Sequence, residues 1–405
     1  MKSVILATSI AGLLAIARGA THDLLVGTFV QKSIYTLRFD DKANTLRLVG
    51  NTSVRAPSSW ITLSKDQKHL YGTDYEYIVG QTDRTDLPRY LSFSVRNSTS
   101  IVHEKTLKAS HVCNGSSIYI AQSPFPPYNV YGADFWSYPG CGNVMSVDSD
   151  AGLDRVVQDF RYGLPESSVH GLDFQSRGRN RRLYSADTHG NAIWTHEINT
   201  VRGTVVVRKP HMIAGPSAGA NPRHVVAHAS GRAIYAVMEG SSEVVSYALN
   251  GDGVPLRASA TIFSILPPGT NLTAYWGDAA AISASGTVLW ATTRARDPAA
   301  NGFVSAFDLD PMTGAILRQN FLVETSSSGG VANAVSPSQH DGRVMAITDN
   351  AKGFVEIWEM SKTGDSVKVV AHLDLADTGN SRYKSGCCAN AVWLPSGGGR
   401  WRGDE

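Results

Sequence analysis

The sequence predicts an all-β chain folded as a seven-bladed β-propeller with four-stranded blades, the N- and C-terminal strands sharing one blade to close the ring. Three observations predict this: a phrase that recurs about every 54 residues, the absence of any sustained helical period, and a last copy of the phrase split between the two ends of the chain. Composition agrees. Of 405 residues, 42% are apolar and 18% charged, with 38 Gly and 17 Pro, which supplies a large core with many turns and excludes disorder. Lys plus Arg number 37 against 35 Asp plus Glu, a formal charge of +2, so there is no basic field for nucleic acid or for a membrane surface.

The phrase is an apolar strand, a Ser/Gly/Asp turn, and a second strand opening on a large side chain. It reads ITLSKDQKHLY (Ile61 to Tyr71), LDFQSRGRNRRLY (Leu172 to Tyr184), VVAHASGRAIY (Val225 to Tyr235), AAISASGTVLW (Ala280 to Trp290) and AVSPSQHDGRVM (Ala334 to Met345), with a weaker copy from Ile118. ANAV precedes the copy at Ala334 and returns at Ala389, marking a seventh start at Ala391. Successive starts lie 53 to 57 residues apart, room for four short strands each. Alternation is visible at Val244 to Leu249 and Val355 to Trp358. The seventh copy stops after its first strand. The segment LLVGTFVQKSIYTLRFD (Leu24 to Asp40) matches the second and third strands LYSADTHGNAIWTHEI (Leu183 to Ile198), so the two ends are expected to pair.

Lys2 precedes the apolar run Val4 to Ala17 and small residues follow it. Residues 1–20 therefore read as a secretory signal cleaved after Ala17 or Ala20, too short for a span and interrupted by Arg18. The propeller is assigned to 21–395 and a loose Gly-rich tail to 396–405, where Arg-Gly-Asp is read as coincidence. Sequons at Asn51, Asn97, Asn114 and Asn271 suit an extracellular glycoprotein. Cys113 precedes the first strand of blade two and Cys141 follows its second, so both should emerge on one rim and bond. Cys387 and Cys388 are not expected to bond to each other, and lie near enough to that rim to keep a cross-blade pairing open. No zinc-type spacing occurs, and no metal or cofactor is expected.

First and second strands of a blade run antiparallel, so residues just before the first and just past the second meet on one rim. Two positions ahead of each start stand Ser59, Ser116, His170, Arg223, Asp278, Ala332 and Ala389, while second strands end in Glu239, Arg294, Asp349, Asp74, Asp134 and Asp187. Four of these carry candidate chemistry. Arg223 and Arg294 offer planar forks for carboxylates, and His170 and Glu239 are proton handlers. The bland alternative is that such groups only staple neighbouring blades. His224, beside Arg223, is placed with the substrate-binding residues. His224 and His228 would lie about 13 Å apart along one strand face, too far to chelate. His103, His111, His189 and His196 are expected to be exposed or blade-bridging.

These stretches, with SSVHGLDF (Ser167 to Phe174), NPRHVVAHASGRAIYAVMEG (Asn221 to Gly240), ILPPG (Ile265 to Gly269), TSSSGGVANAVSP (Thr325 to Pro337) and MAITDNAKGFVEIWE (Met345 to Glu359), resemble the lactonase-type seven-bladed propellers. They are most similar to the fungal 3-carboxy-cis,cis-muconate cyclases among them. The resemblance spans nearly all of the mature chain. It implies a site of His170, Arg223, Glu239 and Arg294, with Arg296 an alternative to Arg294. This chain departs from the family cyclases in reading HVCNGSS ahead of blade two and GGVANA near blade six, with Val331 where they carry His.

The implied reaction is a metal-independent addition of a substrate carboxylate across a conjugated double bond, the arginines holding carboxylates while His170, assisted by Glu239, moves the proton. A small-molecule carboxylate or lactone is the expected partner. Three functions stay open: a lactone-forming cycloisomerase, a secreted lactone hydrolase of the 6-phosphogluconolactonase type, and a propeller that only binds. A strongly cationic site would favour the first, and a neutral pocket the others.

Overall fold

The computed structural model describes residues 20–74, 89–110, 112–113, 115–175, 177–178, 180–375 and 387–395. The expected signal segment before Ala20, His111, the sequon at Asn114 and the tail after Pro395 lie outside the described residues. Seven four-stranded sheets follow one another around the ring. Blade one comprises Ile61–Leu63, His69–Asp74, Arg89–Asn97 and Ser100–Lys108. The first strands of the next five blades are Ser116–Gln122, Val169–Phe174, Pro222–Ala227, Tyr275–Ile282 and Asn333–Pro337. Each predicted start falls inside one of these strands. Helix among the described residues is limited to the 3-10 turns Arg257–Ser259 and Leu272–Ala274, and no helix is long and apolar enough to cross a membrane.

Blade seven is built from both ends of the chain. Ala391–Trp393 forms its inner strand and pairs with Thr21–Val26 in the register Leu24 to Trp393, Leu25 to Val392 and Val26 to Ala391. Ser33–Asp40 and Thr45–Ser53 complete the sheet. Asn390 then locks this blade to blade one. Its side chain accepts from the Ile61 amide at 2.8 Å and donates to the Ile61 carbonyl at 2.9 Å.

Packing between blades erases the alternation expected of a half-buried strand. The second strands His69–Asp74, Val130–Phe135, Arg182–Asp187 and Ala233–Met238 are buried at every position, because a neighbouring blade covers each face. In blade four, Val244 and Val245 are both fully buried for the same reason. The recurrent tyrosine of the phrase has a definite task. Tyr71, Tyr131, Tyr184 and Tyr235 donate their hydroxyls to the carbonyls of Ala151, Gly203, Gly253 and Gly314, each in a turn of the following blade. Each phenol is thus buried with its polar tip satisfied.

Cys113 and Cys141 are bonded, as the rim argument expects, with Cα atoms 5.5 Å apart. The expectation for the other two cysteines is overturned: Cys387 and Cys388 bond to each other. That expectation assumed a trans peptide, whereas their peptide is cis and their Cα atoms are 3.1 Å apart. The cross-blade pairing is therefore absent. Asn51, Asn97 and Asn271 are exposed.

Candidate functional site at the channel mouth

A β-bulge sets up the site. In blade three the ladder passes from the pair Val169–Asp187 to Gly171–Ala186 and skips His170; in blade four it passes from Pro222–Met238 to His224–Val237 and skips Arg223. Blade five breaks register between Gly277 and Ala280, at Asp278, and blade two breaks between Ser117 and Tyr119, at Ile118. An unpaired bulge residue is re-aimed out of the ladder, and all four of these line the same cavity. The register of blade two also corrects the sequence reading, which put Ser116 in this position. A weak copy of the phrase hid a shift of two residues.

The cavity, of about 180 Å³, occupies the mouth of the central channel. Four charged side chains meet on one side of it. Arg223 Nε lies 3.1 Å from Glu239 Oε2, and Arg223 Nη1 lies 3.0 Å from Asp278 Oδ1; Arg294 Nε lies 3.0 Å from the same Asp278 oxygen, with its Nη2 3.6 Å from Glu239. Asp278 is fully buried and its other oxygen accepts from the Asn333 amide of blade six at 2.7 Å. Glu239 follows the second strand of blade four, its amide bonded to the Asn221 carbonyl and its carbonyl to the Gly277 amide. Two cations thus face two carboxylates, a formally balanced network and not the strongly cationic pocket that a tricarboxylate alone would suggest.

His170 lines the cavity with its ring edge-on to Phe135 at 5.1 Å. Its Nδ1 is sealed without a hydrogen-bond partner, so Nε2 is the nitrogen offered to the cavity. Burial, and then Arg223, His224 and Arg294, hold its pKa well below the usual imidazole value. His224 is brought near but does not line the cavity. It sits behind, packed on Trp60 and Tyr119, with Nε2 accepting from Arg223 at 3.3 Å. Burial, then Arg223 and Arg294, also keep it neutral. Arg294, not Arg296, lines the cavity; both guanidiniums lie over Trp276, at 4.8 and 4.0 Å, and Arg296 is exposed.

The remaining lining includes Phe29, Trp60, Trp136, His189, Val331 and Asn390. Asp278 holds the same position ahead of its strand as His170 and Arg223, a signal present in the sequence that an acid's usual turn-bridging role obscures. His189 was set aside, yet it reaches the cavity from the turn joining two strands of blade three. His196 is buried against Trp194, Phe160 and Tyr162, bridging blades two and three, and His103 is exposed. The other strand-end acids serve local structure: Asp187 accepts from the Ser168 and Gly190 amides, and Asp349 from the Lys352 amide and Ser327.

Fold and site together define a seven-bladed propeller with a polar, two-arginine cavity in its channel mouth. The lactonase seven-bladed β-propeller family matches residues 23–316. The chain belongs to this family. It is 32% identical over 359 residues to the carboxy-cis,cis-muconate cyclase of Neurospora crassa, covering 83% of this chain and 92% of that one. It is 26% identical to muconate cycloisomerase 1 of Cutaneotrichosporon cutaneum, covering 92% and 98%. Among solved structures it is similar in fold to a periplasmic gluconolactonase of Pseudomonas aeruginosa, with TM-score 0.72, 19% identity and coverage of 93% and 100%.

Proposed function

We propose that the chain is a lactone-forming cycloisomerase acting on a carboxylated conjugated dienoic acid such as 3-carboxy-cis,cis-muconate. The observation that carries this reading is the meeting of Arg223, Arg294 and His170 in one cavity, in a chain similar over most of its length to a carboxymuconate cyclase. Asp278, fully buried, fixes both guanidiniums. Glu239, with 21% of its side chain exposed, is the outer partner that a substrate carboxylate displaces. A second substrate carboxylate then adds through oxygen to the far end of the double bond. The C–O bond forms and the π pair moves to the carbon next to the remaining carboxylate, giving an enolate-like anion that the arginines stabilise. Protonation of that carbon completes the lactone. His170, aided by Glu239, faces the reacting carbon.

The charge balance of the network favours a second reading, opening of a neutral lactone by water activated at His170 or Glu239. One experiment separates the two: purified protein is mixed with 3-carboxy-cis,cis-muconate and the loss of diene absorbance is followed, with a parallel proton-release assay on gluconolactone. Loss of absorbance is the expected result. Lactone opening without it would replace the first reading by the second.

We further infer export with removal of residues 1–17 or 1–20. The two disulfides support this, as do the three exposed sequons. Protein from the medium should begin at Arg18 or Thr21 and carry glycan on asparagine; an intact N-terminus would count against export.

A further inference from the structure

The reaction proposed above consumes one proton from water in each turnover, because a carboxylate becomes an ester while a carbon gains hydrogen. The imidazole already described is poorly suited to supply it unaided. His170 is buried beside Arg223, His224 and Arg294, so its protonated form is disfavoured, and a neutral imidazole that gave up its proton would become an anion.

A second imidazole stands on the open side of the cavity. His189 is half-buried, lines the cavity and packs on buried Phe135, which ends the second strand of blade two, and on the exposed Trp136 and Tyr138 of the loop that follows it. Its ring is 5.2 Å from Phe135, 4.9 Å from Trp136 and stacked on Tyr138 at 5.7 Å with 8° between the planes. The Cys113–Cys141 disulfide ties the end of this loop within blade two, and a bond from the Trp136 amide to Ser168 Oγ holds it against blade three. Tyr138 Oη lies 2.6 Å from His189 Nδ1. A phenol can donate to a bare Nδ1 or accept from a protonated one, so Nδ1 is satisfied in both charge states and Nε2 is left to gain or lose a proton. The charged groups that face the ring are Glu239, from blade four, and Asp187, from its own hairpin. Burial lowers its pKa, and both carboxylates pull it back up.

We propose that His189 is the proton-exchange residue of this site, its Nε2 carrying a proton from bulk water to the reacting carbon while Tyr138 positions the ring. The inference rests on the lactonising reading. In the step, the imidazolium Nε2–H bond breaks and leaves its electron pair on nitrogen. The enolate pair forms the C–H bond, and water then restores the proton to Nε2. His170 remains a neutral hydrogen-bonding group toward the substrate.

The test is the pH profile of turnover for wild type, His189→Gln and Tyr138→Phe with 3-carboxy-cis,cis-muconate, together with imidazole NMR titrations in tricarballylate, an unreactive tricarboxylate. An acid of this kind makes kcat fall as pH rises through its pKa in the complex. His189→Gln should lower kcat by about 100-fold, leave KM within about threefold and remove that limb. Tyr138→Phe should move the limb with a smaller loss, and tricarballylate should raise the His189 pKa. A His189→Gln enzyme that keeps the wild-type limb, or a bound tricarballylate that leaves the His189 titration unmoved, overturns the role of His189 and leaves the lactonising reading standing. If wild type converts no muconate, that reading fails and this inference falls with it.

Discussion

Arg223 of blade four and Arg294 of blade five meet at a single atom, Oδ1 of Asp278, each 3.0 Å away. Two guanidiniums this close repel unless a carboxylate lies between them, and Asp278 has no exposed side chain with which to turn elsewhere. Removing its charge leaves two buried cations sharing Glu239 alone. Asp278→Asn should therefore lower stability by about 3 to 5 kcal/mol, the usual cost of breaking a buried ion pair from one side. Denaturant melts measure it, and a variant as stable as the parent would show that the network is not what holds the arginines.

Glu239 occupies the other side of the same arginines but is partly exposed. If a ligand carboxylate takes its place, Glu239→Gln removes a competitor. Calorimetry should then show tricarballylate binding about tenfold tighter, a gain of roughly 1.4 kcal/mol. Weaker binding would mean that the ligand needs the Glu239 charge and does not replace it.

Buried imidazoles make stability depend on acid. His196, in its aromatic box, has its pKa lowered by burial from 6.5 to about 4. The unfolded chain takes up this proton near 6.5 and the folded chain only near 4, so stability falls as pH drops across that interval, by on the order of 3 kcal/mol from this group. His170 and His224 act in the same direction. Asp173 opposes them: burial raises it to about 6 from 3.8, so the native state holds a proton that the unfolded chain lacks between those values. His196→Phe should flatten the decline of Tm between pH 6.5 and 4. An unchanged slope would place the acid sensitivity elsewhere.

Ring closure rests on three residue pairs, on backbone bonds from Leu394 to Asp23 and between Gly27 and both Ala389 and Asn390, and on the Asn390 clasp. Ending the chain at Asn390 leaves the Thr21–Val26 strand with an open inner edge, buried in the parent. The truncated protein should unfold at least 10 °C below the full chain, a shift that corresponds to several kcal/mol in a chain of this size. Coincident melting curves would remove closure from the account of stability.

The blades and their closure were legible because each blade repeats the same solution to the same packing problem, so period and split copy survive in the chain. Tyr71, Tyr131, Tyr184 and Tyr235 were visible as markers for that reason, although their hydroxyl partners belong to the next blade and have no local signature. The site was legible only where position repeated. His170, Arg223, Glu239 and Arg294 were found from strand ends, and the structure brings them together. Asp278 was passed over because an acid ahead of a strand usually bridges turns, and only the distance across the channel shows it between two arginines. Ile118 was hidden by a bulge, and His189 by its place in a hairpin turn whose direction no periodicity encodes. The bond between Cys387 and Cys388 depends on the conformation of one peptide, which the spacing of cysteines does not carry.

The shared blade also has a consequence for synthesis. Leu24, Leu25 and Val26 emerge from the ribosome among the first residues of the ring, and their partners Trp393, Val392 and Ala391 among the last. At the usual pace of translation the early strand waits on the order of tens of seconds for its inner neighbour. Throughout that interval its apolar edge is open to chaperones, proteases and other nascent chains, so the vulnerable period of this protein is set by how long it takes to make the molecule and not by how fast a blade forms.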